Sequence, residues 1–143
     1  MSLEKNDVQP QYLTKGDPAL IGYYPKWVDN LADDATLEGS MLDGAVQGEA
    51  VRSVVLGIRS LYDRQEHQFA GPCGDNGFLE EYVAEVRGKP LGCTVLVSRN
   101  AAGQTEHVVA TYRPRSSVVF FARLLAEKFA GNPIAEHFAD HEP

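Results

Sequence analysis

The chain has 143 residues, 43% of them apolar and 23% charged, with a formal net charge of -7. That length suits one domain, large enough to bury a core without a metal or a disulfide. The negative charge speaks against a nucleic-acid partner and against docking on an anionic membrane, because both present phosphates to the protein.

No apolar run reaches membrane-spanning length and no secretory leader is recognisable, so the chain reads as cytoplasmic, with Cys73 and Cys93 as reduced thiols. Residues 1–16 are polar and aperiodic, which predicts a flexible arm. Asp17-Pro18 has the form of a helix cap followed by proline at the first helical position. That helix is short, because Pro25 disfavours helical geometry at Tyr24. Pro25 can open a second short helix, with Trp27, Val28 and Leu31 on one side.

Ala35 to Gly39 is a short strand candidate, and Ser40 to Gly44 a second extended piece with a turn. Residues 48–64 carry the clearest signal. Val51, Val54, Val55, Ile58, Leu61 and Tyr62 recur at helical spacing, with Glu49, Arg52, Arg59 and Asp63 opposite. Gly57 interrupts this pattern at a cost of about 1 kcal/mol relative to alanine. Close packing of the helix on a sheet would account for it.

The pattern then changes to period two. Strands are predicted at His67 to Cys73, Phe78 to Arg87, Leu91 to Arg99 and Gln104 to Arg113, linked by short turns at Gly88-Lys89 and Asn100 to Gly103. Four such strands in succession imply an antiparallel meander. Pro114 stops the last one. Ser116 or Ser117 can cap a final helix bearing Val118, Phe121, Leu125 and Phe129, which Gly131 and Pro133 end. The domain thus spans 17–131, and 132–143 reads as a polar tail. The class is α+β.

Four passages carry a family resemblance: Leu31 to Gly39 (LADDATLEG), Gly48-Glu49-Ala50-Val51, Val86-Arg87-Gly88-Lys89-Pro90, and Thr111-Tyr112-Arg113-Pro114. In this order and spacing the chain resembles the nuclear transport factor 2-like superfamily, in its SnoaL-like and ketosteroid isomerase-like branch. The likeness covers roughly residues 17–130. It implies a cone: a curved mixed or antiparallel sheet with the long helix across its concave face, short helices before it and one after. It also implies a pocket for a small hydrophobic molecule and a homodimer formed through the outer sheet face. The family includes isomerases, polyketide cyclases, dehydratases, hydrolases and proteins without a catalytic role, so the fold leaves function open.

Ketosteroid isomerases place a general-base aspartate directly after the ATVE-like strand, which is Gly39 here. They place a protonated acid on the strand after the glycine turn, which by spacing is Val95. Neither residue can move a proton or stabilise an enolate, which excludes steroid isomerisation by that mechanism. Strand alternation, aligned on the same turn, turns Glu80, Tyr82, Ala84 and Val86 inward, together with Cys93, Val95, Val97, Val108, Ala110 and Tyr112.

Glu80 is the sharpest catalytic candidate, because a carboxylate in an apolar wall acquires a raised pKa suited to acid–base work. The competing reading is a solvated carboxylate at a strand end. Tyr82 could hold a carbonyl oxygen, or be a core tyrosine. Tyr24, Trp27, Asp43, Val95, Val108, Ala110 and Tyr112 are candidate ligand-binding residues. Asp43 could equally be a turn-former before Gly44, and Trp27 a core residue. His67 starts a strand and could be a base, or be an edge or surface histidine. His137 and His141 have helical metal-ligand spacing but lie in the tail, so no metal or other cofactor is expected. Two functions therefore stand side by side. One is a SnoaL-like isomerase, cyclase or dehydratase acting on a small hydrophobic carbonyl compound. The other is a non-catalytic ligand-binding or dimerisation module. An open cavity of a few hundred Å³ would favour ligand binding, and a cone plugged by Trp27, Phe69 and the last helix would favour the scaffold.

Overall fold

The computed structural model describes residues 13–20 and 24–138. Seven strands form one open sheet: β1 (Leu13–Thr14), β2 (Leu31–Gly39), β3 (Val46–Gln47), β4 (Arg64–Pro72), β5 (Gly77–Val86), β6 (Lys89–Arg99) and β7 (Thr105–Arg113). Their order is β1-β4-β5-β6-β7-β2-β3. β4 through β7 make the expected antiparallel meander, and β2 joins its far side parallel to β7. Helices α1 (Glu49–Ser60) and α2 (Arg115–Lys128) lie between β3 and β4 and after β7. The fold is the expected α+β arrangement around a curved mixed sheet.

Alternation places the core. In β5 the buried side chains are Phe78, Glu80, Tyr82, Ala84 and Val86, and in β6 they are Leu91, Cys93, Val95 and Val97. In β7 they are Thr105, Val108, Ala110 and Tyr112. This one face of the sheet meets Val51, Val54, Val55 and Ile58 of α1 and Phe121, Leu124 and Leu125 of α2 in a single core. Burying apolar side chains of this size contributes about 1.5–3 kcal/mol each, which is what holds the helices on the sheet.

Several boundaries differ from expectation for identifiable reasons. Strand β2 starts at Leu31 and not at Ala35. Asp33 and Asp34 are exposed and poor strand formers, and its pairing with β7 is irregular between Leu31 and Thr36, so the sequence pattern is broken there. Within the arm predicted for 1–16, residues 1–12 lie outside the described residues, while Leu13 and Thr14 pair with Ala70 and Phe69 of β4 and Leu13 is buried. Asp17 does cap, its Oδ1 accepting from the amide of Ala19 at 2.9 Å, but the element it opens is a 3-10 turn, Pro18–Leu20. A second 3-10 turn, Lys26–Asp29, buries Val28.

At the other end, Ser117 is buried inside α2, and the cap position is Pro114. The segment read as a polar tail forms a 3-10 turn, Pro133–Phe138. Phe138 is buried and stacks on Phe129, with centroids 5.8 Å apart, and the His137 carbonyl accepts from the Asp43 amide at 2.8 Å. One phenylalanine among charged residues leaves no periodic trace, so composition misplaces this segment.

Gly57 is explained by the helices. A Cβ built there would lie 2.6 Å from Cζ of Phe129, so α1 approaches the end of α2 too closely for a side chain. The β5–β6 turn places both Arg87 (φ 51) and Gly88 (φ 80) in the left-handed region. This is the geometry of a tight hairpin in which the second residue is glycine and the first is strained. The Arg87 amide donates to Oδ2 of Asp63 at 2.6 Å, which ties the turn to the segment after α1.

Candidate functional site

The pairing registers assemble two adjacent rows of side chains on the concave face. The first runs Ala70, Glu80, Val95, Ala110 and Gly39 across β4, β5, β6, β7 and β2. The second, two residues along, runs His67, Tyr82, Cys93 and Tyr112. Directly opposed residues stand about 4.5–5.5 Å apart at Cβ. Glu80 is therefore a neighbour of Val95, which the sequence spacing matches to the protonated-acid position of ketosteroid isomerases.

The general-base position is closed. A Cβ at Gly39 would stand 1.9 Å from the carbonyl oxygen of Ala110, so β7 passes where a side chain would have to begin. A bulge between His67 and Phe69 interrupts β4, so neighbours of Gln68 lose strict alternation.

A cavity of about 40 Å³ lies against these rows. Glu80, Tyr82 and Trp27 line it, as do Val95, Val108, Ala110 and Tyr112. Leu37, Met41, Val55 and Ile58 complete an apolar wall. Arg59 of α1 reaches the wall too, and is the only cation among the described residues lining the cavity.

Two candidates are placed elsewhere. Tyr24 is 38% exposed and off the cavity wall, its ring under the guanidinium of Arg59 at 5.5 Å and its hydroxyl donating to Oδ1 of Asp29 at 3.2 Å. Asp43 is exposed in the turn after β2, bound through its amide to the His137 carbonyl, and does not line the cavity. Pro25 begins a backbone turn that lifts Trp27 over the sheet while pointing Tyr24 outward, which helical spacing could not reveal.

Glu80 is only 2% exposed. Its Oε2 accepts a hydrogen bond from the indole N–H of Trp27 at 3.1 Å. This bond joins the 3-10 turn to the middle of the sheet over 53 residues of chain, and no sequence signal announces it. Glu38 also lines the cavity, but its carboxylate pairs with Nε2 of His107 at 2.7 Å.

The second row is polar and deeply buried. Tyr62, just beyond α1, shares a 2.6 Å hydrogen bond with Tyr82. The Tyr112 hydroxyl and the Cys93 thiol join the same cluster. Burial holds the phenols of Tyr62, Tyr82 and Tyr112 well above their ordinary range, and pushes the Cys93 thiol up to about 12. These groups stay protonated at neutral pH: they donate hydrogen bonds and do not act as bases or nucleophiles. Neighbouring His67 is also buried, its ring 5.1 Å from that of Tyr82. Burial first, and the charge of Arg59 second, lower its pKa to about 4, so the imidazole is neutral. The sequence pattern puts His67 at a surface or edge; instead it lies opposite Tyr82 of β5 and is buried against that ring.

Among the described residues no cluster of three or more histidine, cysteine, aspartate or glutamate side chains could hold a metal ion. His137 stands at the end of the last 3-10 turn, and His141 lies outside the described residues. No helix among the described residues is long and apolar enough to cross a membrane.

No family model matches the chain, and no curated protein does. Solved structures do. An uncharacterised protein with a cystatin-like fold from Silicibacter pomeroyi superposes with a TM-score of 0.67 at 14% identity, over 72% of this chain and 73% of that one. A steroid delta-isomerase from Pseudomonas aeruginosa gives 0.67 at 15% identity, over 73% and 77%. A de novo designed protein with a curved β-sheet gives 0.55 at 21% identity, over 68% and 79%. At these identities the likeness is one of backbone architecture. The chain has the cystatin-like, nuclear transport factor 2-like cone fold, an architecture it shares with the steroid delta-isomerase.

Proposed function

We propose that this protein is a small-molecule-binding protein of the SnoaL-like kind, and that its cone receives the polar end of a compact, largely apolar compound. The supporting observation is Glu80, a buried carboxylate that lines the cavity beside Val95 in an otherwise apolar row. A carboxylate offers about four lone-pair sites, so a group of this kind can receive a hydroxyl or N–H donor from a ligand beside the Trp27 indole. The size of the cavity argues against a steroid. A void of about 150 Å³ is what benzene occupies in an engineered core, and the space here is smaller. The compound therefore sits in the mouth and sends only its tip inward.

Isomerase, cyclase or dehydratase chemistry on a small carbonyl compound is the finer reading. It is favoured by one feature: Glu80 stands one strand from the isomerase acid position and in the same cross-sheet row. There it would exchange a proton with a carbon or oxygen of the ligand, while Tyr82 and Tyr112, held protonated, donate toward the oxygen.

The test uses the single tryptophan of the chain, which lines the cavity. Small aromatic and alicyclic ketones, alcohols and amines are titrated against Trp27 emission and melting temperature. Saturable binding supports the ligand-binding reading. Turnover that disappears in Glu80→Gln while binding remains establishes the catalytic one. A folded protein that no compound perturbs points to a non-catalytic scaffold.

We also propose a homodimer through the outer sheet face. There Leu79, Leu96 and Val109 oppose one another across three strands, with Leu96 38% exposed. A monomer by sedimentation at tens of micromolar would exclude it.

A further inference from the structure

Resting on that reading of the cavity, we infer that the compound is a carboxylate, and that Arg59 receives its anionic group while Glu80 receives a donor at its other end. Three observations carry this. Arg59 is the only cationic side chain among the described residues lining the cavity, whose two carboxylates are Glu80 and the Glu38 already paired with His107. Among the described residues no carboxylate forms an ion pair with Arg59. Its side-chain hydrogen bond is a long one, 3.4 Å, from Nη1 to the side-chain oxygen of Gln65. The neighbouring Arg52, by contrast, is paired with Asp29 at 2.8 Å. Finally, the ring of Tyr24 lies under the Arg59 guanidinium at 5.5 Å.

A guanidinium set over an aromatic ring can still present N–H donors to a ligand. Its planar edge fits the two oxygens of a carboxylate. Tyr24 is in turn fixed through its hydroxyl on Asp29, and Asp29 by Arg52. The stack thus positions Arg59 at the lip.

The charge is felt inside the fold. Arg59 lowers the pKa of buried His67, so an anion near the guanidinium would be weakly screened by solvent. The two ends of the ligand are matched by the two polar ends of the cavity: carboxylate toward Arg59, hydroxyl or amino donor toward Glu80, apolar body between. A small aromatic or alicyclic hydroxy acid has this pattern. The overall charge of -7 gives anions no general attraction to the surface, so selectivity for them would have to arise locally.

Three probes separate the possibilities by Trp27 emission: 4-hydroxyphenylacetate, its neutral amide, and phenylacetate, which lacks the hydroxyl. The acid is expected to bind about tenfold to a hundredfold more tightly than the amide, the usual worth of a charge-assisted hydrogen bond. Arg59→Gln should abolish that preference, and Arg59→Lys should keep part of it, with folding of both checked by circular dichroism. Phenylacetate should fall between the acid and the amide. An amide that binds as well as the acid overturns the assignment of Arg59 while leaving the pocket intact, and that comparison needs no variant. An Arg59→Gln protein that keeps the preference overturns it as well. If none of the three, nor any ketone, alcohol or amine of the wider set, perturbs Trp27 or the melting temperature, the pocket reading itself fails.

Discussion

His67 gives the fold a built-in acid sensitivity. Its imidazole is buried against Tyr82, and burial with help from Arg59 lowers its pKa from 6.5 to about 4. The unfolded chain takes up a proton near 6.5, whereas the native state resists until about 4, so between those values the unfolded state holds more protons. Stability contributed by the neutral ring is fully present above the unfolded pKa and is lost as pH falls through this window. The whole effect is about 3 kcal/mol, at 1.36 kcal/mol for each tenfold change in proton affinity. About 2 kcal/mol of it should be lost between pH 7 and about pH 5, where the unfolded form is mostly protonated and the native form is not. The assay is urea unfolding followed by Trp27 emission at both pH values, for the wild type and for His67→Gln. The wild-type midpoint should fall by about 1 M on acidification, for a typical urea slope. The variant starts less stable but should change much less. Equal losses in the two proteins would refute the reasoning and place the proton uptake on other groups.

Arg87→Asn should stabilise the protein by about 1 kcal/mol and raise the melting temperature by about 3 °C, because asparagine tolerates the left-handed conformation that Arg87 adopts. Gly57→Ala should lower the melting temperature although alanine is the better helix former, since the new Cβ meets Phe129 at 2.6 Å; a net loss of about 1–2 kcal/mol is expected in calorimetry. Phe138→Ala should cost about 2 kcal/mol by removing the stack on Phe129, measurable by chemical denaturation, whereas an unstructured tail would give no change. Tyr62→Phe leaves Tyr82 without its 2.6 Å partner and should cost about 1–2 kcal/mol of stability.

The interior of the sheet is legible in the sequence because strand geometry is strict. One residue in two faces inward, so Glu80, Tyr82, Cys93, Val95, Val108, Ala110 and Tyr112 can be assigned to one face from the pattern of the meander. The features that escape it involve contacts between distant parts of the chain. Asp33 and Asp34 hide the first half of β2, which is held in part by its neighbours in the sheet. Leu13 and Phe138 are single apolar residues in polar surroundings, buried only because another segment offers them a place. The same limit applies to the site. Glu80 can be put in the cavity from its strand, but its bond to Trp27 and the stacking of Tyr24 under Arg59 depend on how a 3-10 turn folds over the sheet.

The sheet is open, yet each rim ends in a strand of two residues, β1 on one side and β3 on the other. Among the described residues these cover Phe69 and Ala70 of β4 and Thr36 and Leu37 of β2. Beyond that cover, β4 carries Arg64 and Glu66, and β2 carries Asp33 and Asp34. A foreign strand that added itself to either rim would find few consecutive backbone partners, and would have to bring its own side chains against charges. Self-association by strand addition, the route by which exposed sheet edges seed fibres, is thus obstructed at both ends of a sheet that never closes.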